Sequence, residues 1–316
     1  MLISRIGRNL ILLLGLWAGS GAAMALPLSA GDRLKVSIPE GEEFSGIFEV
    51  NLDGQLELPY LEPIPVAGLE PSRARELIHA ALVSGGFFQP SFLTVGLNVV
   101  QWAPVQVFVS GATFQPGRVL INEWTDAEQT QSPVQQGGQG PYDRSLTTAI
   151  RQAGGVRPTA DVGAVELVRH GVRRRFDLTG LFTGEPVEDA PLIAGDQVLV
   201  PEGERLNPAI VRPSQITPVG VKIFISNLTV PAAGNAIAAI GRDATSFPYG
   251  SRFSQAVVSG NCAGGTTLTN ASRRAVLVST DIETGRTTTL DKGVEELLRR
   301  SSDQASNPYL MPNDAI

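Results

Sequence analysis

The stretch LIAGDQVLVPEG, at residues 192–203, places a Gly-Asp pair directly before a short apolar run. Pairs of the same kind precede apolar residues in LSAGDRLKVSIPEG, at residues 28–41, and in LMPNDAI, at residues 310–316. Gly and Asn tolerate the backbone of a tight turn, and an Asp carboxylate accepts hydrogen bonds from nearby amides. Each pair therefore predicts a turn that leads into a β-strand. The residues of these predicted turns are Gly31, Asp32, Gly195, Asp196 and Asp314.

The chain repeats itself between these turns. VQVFVS, at residues 105–110, resembles VKIFIS, at residues 221–226, and each is followed by a helix-like segment that runs into glycines. Two alternating segments about a Gly turn then predict a β-hairpin, at residues 160–178 in the first copy and 269–291 in the second. A second helical stretch and a closing strand complete each copy. We therefore predict two duplicated modules of strand, helix, hairpin, short helix and closing strand.

The closing strand of the first module, Val198-Leu199-Val200, is expected to pair beside the first strand of the same module. In the second module the sequence reaches Ile316 at the point where this strand would begin. We expect that a few further residues follow, which is the plainer interpretation, or that a neighbouring chain closes the module. In the first module, losing the turn hydrogen bonds through Asp196→Ala would cost about 1 kcal/mol of stability.

Composition favours a β-rich protein with two or three cores. The chain has 316 residues, of which 42% are hydrophobic and 18% charged, and its 34 Gly and 22 Pro are spread along the sequence. This distribution suits short strands joined by turns, so the predicted fold class is α+β. The formal net charge is −6, and the 12 Phe and 3 Trp do not alternate with basic residues. Nucleic acid is therefore not expected as a partner.

The first 25 residues have the features of a signal peptide. Arg5 and Arg8 precede an apolar run, and Ala23-Met24-Ala25 fits a signal-peptidase site, which predicts cleavage after Ala25. An uncleaved anchor is the alternative, but the run is shorter than the ~20 residues that span a bilayer. The segment contains no Cys for lipidation. Losing the two arginines changes the net charge from −6 to −8.

Residues 26–101 predict a small α/β domain of a different kind. An alternating strand follows Gly31-Asp32, and Asp53-Gly54 is the expected turn of a hairpin. An amphipathic helix begins at Pro71 and ends at Gly85-Gly86, and residues 91–101 predict a further strand.

The order of these features resembles the amino-terminal domain of outer-membrane polysaccharide export proteins. The motifs that carry the resemblance are Gly31-Asp32-Arg33-Leu34, Asp53-Gly54, Pro59-Tyr60-Leu61, Val66-Ala67-Gly68-Leu69 and the Ala-containing helix that follows them. The duplicated modules resemble the soluble-ligand-binding β-grasp (SLBB) domains that follow in the same family. The implied domains are a signal peptide at 1–25, the export domain at 26–101, SLBB modules at 102–203 and 221–316, and a linker at 204–220.

The resemblance implies a component of capsule or exopolysaccharide export that forms an oligomeric ring in the periplasm and outer membrane. Its implied partners are the polysaccharide, further copies of itself, an inner-membrane polysaccharide co-polymerase, and the outer membrane or a protein in it. Two features of that family are missing from these 316 residues, namely the lipidation Cys and a carboxy-terminal amphipathic helix. A periplasmic ring that docks on a separate outer-membrane protein is equally compatible with the sequence.

No catalytic, cofactor or metal site is predicted. His79 lies on the amphipathic helix and His170 on a hairpin turn, and neither has a nucleophile or metal motif nearby. Cys262 is the single cysteine, which excludes an intramolecular disulfide. The Gly-rich segment at 135–140 lacks the Lys of a phosphate loop. We therefore expect a non-enzymatic protein without a cofactor.

One cluster of basic residues stands out. Arg173, Arg174 and Arg175 follow a predicted hairpin turn, where they could contact an anionic sugar or an acidic face of a neighbouring subunit. The simpler interpretation is a solvated hairpin. For the whole chain, the alternative to an export ring is a monomeric periplasmic glycan-binding protein.

Overall fold

A computed structural model describes residues 26–123, 143–225, 245–260, 273–281, 284–299 and 303–316. These residues form an α+β structure with three hydrophobic cores that follow one another along the chain. The first core belongs to the amino-terminal domain, and the second and third belong to two consecutive modules. The prediction of mixed α+β structure is confirmed.

The amino-terminal domain packs one helix against a three-stranded antiparallel sheet of order β2-β1-β5. Its elements are β1 (Arg33–Ser37), β2 (Gly46–Glu49), β3 (Gln55–Leu56), β4 (Ile64–Pro65), α1 (Pro71–Ser84) and β5 (Gly96–Gln101). Pro71 suits the first position of the helix, because the N–H that proline lacks would have no partner within the helix there. Gly85-Gly86 ends the helix. Helix α1 buries Ala74, Ile78 and Leu82 at its i, i+4 and i+8 positions.

The first module is a five-stranded mixed sheet with a helix on one face. Its elements are β6 (Val105–Gly111), β7 (Gly117–Ile121), α2 (Leu146–Gln152), β8 (Val165–Arg169), β9 (Val172–Phe176), α3 (Gly180–Thr183) and β10 (Gln197–Val200). The strand order is β7-β6-β10-β8-β9, and β10 is parallel to β6. The predicted pairing of the closing strand with the first strand is therefore confirmed. The Ser145 side chain caps α2 by accepting the Thr148 N–H at 3.3 Å.

Strand β7 was not predicted from the sequence. It pairs antiparallel with β6, so the module has two strands rather than one before its helix. Strands β8 and β9 form the predicted hairpin, and its turn residues His170 and Gly171 both have positive φ, of 49° and 80°. This backbone is that of a two-residue hairpin turn, whose twist matches that of the strands.

The second module repeats these elements in the same order. They are β11 (Gly220–Ile223), β12 (Thr245–Pro248), α4 (Phe253–Ser259), β13 (Arg274–Thr280), β14 (Thr287–Gly293) and α5 (Val294–Arg299). Ala315 forms a parallel bridge with Phe224 and an antiparallel bridge with Val278. Gln197 makes the equivalent pairs with Phe108 and Val168 at the start of β10.

The units share side chains across their boundaries. Ile193 of the first module lies in the core of the amino-terminal domain, and Phe114 of the first module lies in the core of the second. The Val156 N–H donates to the Ile216 carbonyl at 2.9 Å, and the Tyr249 hydroxyl donates to the Val156 carbonyl at 3.3 Å. Residues of the segment predicted as a linker therefore pack into the modules on both sides.

Candidate functional site

The three Gly-Asp or Asn-Asp pairs form the same turn. In each turn the amide three residues before the Asp donates to its carboxylate, at 2.7 Å for Asp32, 2.9 Å for Asp196 and 2.8 Å for Asp314. The Asp amide donates back to the carbonyl of that earlier residue. The residue before the Asp has a φ of 87° at Gly31, 85° at Gly195 and 69° at Asn313. Gly and Asn are the residues that adopt this backbone at least cost.

Asp32 has a second role, because it binds a side chain of the first module. The Arg144 Nη1 donates to the Asp32 Oδ1 at 2.9 Å, and both side chains are fully buried. The Ala103 N–H donates to the same oxygen at 2.7 Å, and the Arg144 Nη2 donates to the Ser29 hydroxyl at 2.7 Å. The Arg144 guanidinium also lies 5.2 Å from the centre of the Trp102 ring.

Burial determines the electrostatics of this ion pair. It raises the pKa of Asp32 and lowers that of Arg144, and the attraction between the two charges only partly opposes both shifts. The Arg144 Nε further donates to the Leu192 carbonyl at 3.3 Å. Arg144 thus connects the turn of the amino-terminal domain to the chain that leads into the turn at Asp196.

Asp196 binds an arginine of its own module. The Arg169 Nε and Nη2 donate to its two carboxylate oxygens at 2.9 and 2.7 Å, and the Nη2 also donates to the Pro191 carbonyl. The Asp196 side chain is 1% exposed and that of Arg169 is 22% exposed. This bidentate pair fixes the end of β8 against the start of β10.

Asp314 has no arginine in the equivalent place. Because Val278 corresponds to Val168, the residue that corresponds to Arg169 is Ser279. The Asp314 Oδ1 is buried and accepts no hydrogen bond from the described residues. Burial raises the pKa of Asp314, and the Met311 amide and the Ser279 hydroxyl only partly oppose this shift.

A second polar contact also recurs in both modules. In the first, the Thr147 N–H and hydroxyl donate to the Asp189 carboxylate at 3.0 and 2.6 Å. In the second, the Ser254 N–H donates to the Asn307 Oδ1 at 2.8 Å, and the Asn307 Nδ2 donates to the Ser254 hydroxyl at 2.9 Å. Both contacts join the first turn of the module helix to the segment before the closing turn.

The remaining turn residues lie within the amino-terminal domain. Gly54 has a φ of 76°, and its N–H donates to the Asn51 carbonyl at 2.9 Å. The Asn51 Oδ1 accepts the Gln55 N–H at 2.9 Å, so this turn depends on Asn51 rather than on a bond from Asp53. Asp53 is exposed.

Arg173, Arg174 and Arg175 lie on β9, one of the two edge strands of the first module's sheet. Arg173 pairs with Glu166 at 3.0 Å and Arg174 pairs with Glu188, whereas Arg175 donates to the Gly163 carbonyl at 3.0 and 3.1 Å. The three side chains are exposed but have contacts within the chain. The alternation of β9 places Arg173 and Arg175 on one face of the sheet and Arg174 on the other.

The other residues considered from the sequence do not come together into a site. His79 is half-buried on α1 and His170 is exposed on its turn. Ala25, Cys262 and the Gly-rich segment at 135–140 lie outside the described residues. Within the described ranges, three or more His, Cys, Asp or Glu side chains nowhere converge in a way that could hold a metal ion. No helix of the described part is long and apolar enough to cross a membrane.

Comparison with known proteins adds one finding. Residues 21–98, about a quarter of the chain, match the family described as polysaccharide biosynthesis/export protein. No curated protein matches the chain. The matched segment includes the turn at Asp32, the turn at Gly54 and helix α1, which are the features on which the predicted resemblance rested. The match supports a role in polysaccharide export in general terms, and it shows that residues 21–98 are similar to the domain that defines this family.

Proposed function

We propose that the protein is the subunit of an oligomeric ring that conducts an exopolysaccharide or capsular polysaccharide across the periplasm toward the outer membrane. The observation that carries this proposal is the fusion of the export domain at residues 21–98 to two further modules through buried contacts. The Asp32–Arg144 pair and the shared cores join the units, so each unit packs against its neighbour within one subunit.

The modules are proposed to be SLBB domains of the β-grasp type. When the five strands of the first module are numbered along the chain, their order across the sheet is 2-1-5-3-4. Its first and fifth strands are parallel neighbours, and its helix lies between the second and third strands. The proposed domains are those expected from the sequence, at 26–101, 102–203 and 221–316 with a connecting segment at 204–220.

The surfaces of these modules support lateral contacts between subunits. Phe108 lies on the face of the first sheet that points away from its core, and it is 47% exposed. The equivalent residue of the second module, Phe224, is 50% exposed. We propose these two equivalent side chains as contact points between neighbouring subunits. Contacts between different faces of identical subunits generate a ring when the rotation between them closes.

The protein is further proposed to enter the periplasm through the signal sequence at 1–25, with cleavage after Ala25. There it would receive polysaccharide from an inner-membrane co-polymerase and act with the outer membrane or an outer-membrane partner. No catalysis and no cofactor are required, because passage of a polymer through a lumen needs repeated weak contacts rather than a reactive group.

Sedimentation velocity of the full chain, expressed with its own amino-terminal segment and purified from the envelope, tests the ring. We expect a discrete high-order species at micromolar concentration, with closed rings in electron micrographs. Mass spectrometry of the same sample should give an amino terminus at Leu26. A strictly monomeric profile together with oligosaccharide binding would instead support the monomeric glycan-binding alternative.

A further inference from the structure

A cleft of about 630 Å³ lies between the two modules. One wall is the inner face of the β13–β14 hairpin, which includes Leu277, Ser279 and Thr288. The opposite wall comes from the first module and the connecting segment, through Phe114, the loop at 157–159 and Leu206. Because both modules contribute walls, the cleft depends on the packing of one module against the other.

The lining combines an apolar floor with a hydroxyl-rich rim. Phe114, Leu277 and Met311 provide apolar surface. The Phe114 ring packs against the Tyr249 ring in an edge-to-face arrangement, with 5.9 Å between the ring centres. The hydroxyl groups of Ser279, Thr280, Thr284, Thr288 and Thr289 and the amide of Gln304 belong to residues that also line the cleft. A sugar ring presents the matching pattern, because its C–H faces are apolar and its hydroxyls both donate and accept. The volume lies in the range of small-molecule sites.

The charges near the cleft do not favour an anion. The Arg157 side chain is paired with Glu202, so these two charges cancel. Arg286 adds one positive charge at the rim and Asp281 one negative charge. Asp314 is buried directly behind the wall, where its carboxylate accepts the amide of the lining residue Met311. Arg252, whose guanidinium lies 4.2 Å from the centre of the ring of the lining residue Tyr309, adds a further positive charge beside the cleft. The carboxylates of Glu202, Asp281 and Asp314 balance the three arginines, so a uronic acid would meet no net positive charge in this cleft.

We propose that this cleft binds an uncharged segment of the exported polysaccharide, with a sugar face on the apolar floor and its hydroxyls on the threonine rim. The inference rests on the proposed role in polysaccharide export and names the sugar class and the place where the polymer contacts the subunit. It does not require a ring, since every part of the cleft belongs to one chain.

Affinity electrophoresis of the full chain tests the proposal. Native gels would contain dextran or galactomannan as neutral polymers, or polygalacturonate as a charged one. We expect at least one neutral polymer to retard the protein, and Thr288→Trp, which fills the cleft, to weaken that retardation at least fivefold. Val276→Trp is the matched control, because Val276 lies on the partner strand β13, is 40% exposed, and neither it nor its cross-strand pair Asp291 lines the cleft.

Thr288→Val gives a second variant in case Thr288→Trp disturbs folding, because it keeps the size of the side chain and the hairpin pairs and removes only the rim hydroxyl, so it should also weaken the retardation. The proposal is overturned if neither neutral polymer retards the protein, if only polygalacturonate does, or if the cleft variants are retarded as strongly as the wild type. Sedimentation of the same samples separates the two proposals. A ring without cleft-dependent retardation contradicts only the cleft, and a monomer with it contradicts only the ring.

Discussion

Asp32 and Arg144 are 112 residues apart in the sequence, yet they form an ion pair of 2.9 Å with both side chains fully buried. Two isolated charges in such a place would each carry a large desolvation cost. The pair is tolerated because the Ser29 and Ala103 amides and the Ser29 hydroxyl complete its hydrogen bonds. This contact fixes the export domain to the first module.

Replacing Arg144 should therefore be severely destabilising. Arg144→Met leaves the Asp32 carboxylate buried without a cation, and the expected loss is about 3–5 kcal/mol in urea denaturation. The double variant Asp32→Asn, Arg144→Met should recover part of this loss because it removes the uncompensated charge. Arg73→Met is the control, since its partner Glu76 is exposed and the expected change is below about 1 kcal/mol. Equal effects of Arg144→Met and Arg73→Met would contradict the structure of this junction.

Asp196→Ala should cost more than the loss of a single turn hydrogen bond. The sequence suggested about 1 kcal/mol, but the carboxylate also receives two hydrogen bonds from Arg169. We now expect about 2–3 kcal/mol by thermal or chemical unfolding. Asp196→Asn, which retains an acceptor for the Ile193 amide, should lose less. Asp53→Ala serves as a control on an exposed turn residue, and an equal loss there would count against this role of Asp196.

Ser279→Arg should stabilise the second module. The substitution introduces a guanidinium at the position equivalent to Arg169, where the Asp314 Oδ1 lacks a hydrogen bond from the described residues. We expect a gain of about 1–2 kcal/mol, measured as a higher midpoint of urea unfolding. In an Asp314→Asn background the gain should disappear. If Ser279→Arg lowers stability in both backgrounds, the proposed equivalence of the two sites is wrong.

Stability of the second module should depend on the protonation of Asp314. Burial raises the pKa of this carboxyl above its ordinary 3.8, so the folded protein holds the proton more tightly than the unfolded chain does. Raising the pH from about 4 through the folded-state pKa therefore lowers the free energy of unfolding. Asp314→Asn cannot ionise, and its stability advantage over the wild type should grow across this interval and then level off. Parallel pH profiles of the two proteins would refute the assignment.

Charge reversal on β9 tests whether its arginines take part in assembly. Arg173→Glu and Arg175→Glu place acidic groups on the face of the sheet that carries the exposed Phe108. If this face contacts acidic residues of a neighbouring subunit, both variants should shift the sedimenting species toward the monomer, and the shift should diminish at high salt. Arg73→Glu, which lies on α1, is the control. An unchanged oligomer with both β9 variants would leave these arginines as solvated side chains.

The local parts of the fold could be predicted from the sequence. Pro71 and Gly85 mark the two ends of α1, and a Gly or Asn before each buried Asp marks the three turns. These signals work because the chemistry of a turn or a helix end involves residues that are neighbours along the chain. Strand β7 was missed because Val119, Leu120 and Ile121 are consecutive apolar residues and show no alternation.

The partners of the turn carboxylates could not be predicted in the same way. Nothing in the sequence around Arg144 or Arg169 distinguishes them from exposed arginines, since each meets its Asp only after separate strands have packed. The absence of an arginine at Ser279 likewise has meaning only once β13 is aligned with β8. The repeat in the sequence identified which segments of the two modules correspond. The strand pairs and hydrogen bonds were needed to identify which side chains correspond.

The family match ends at residue 98, but the hydrophobic core of the matched domain also includes residues beyond this point. Trp102 and Ile193 lie in that core, and Arg144 supplies the charge that Asp32 needs. A cut after residue 101 would leave the export domain with an open apolar surface and an uncompensated carboxylate. A chimaera that joins this domain to another module would need an arginine and an apolar residue in that module at the positions of Arg144 and Ile193. The part of the chain that must fold together therefore extends beyond residues 21–98, which the family match covers.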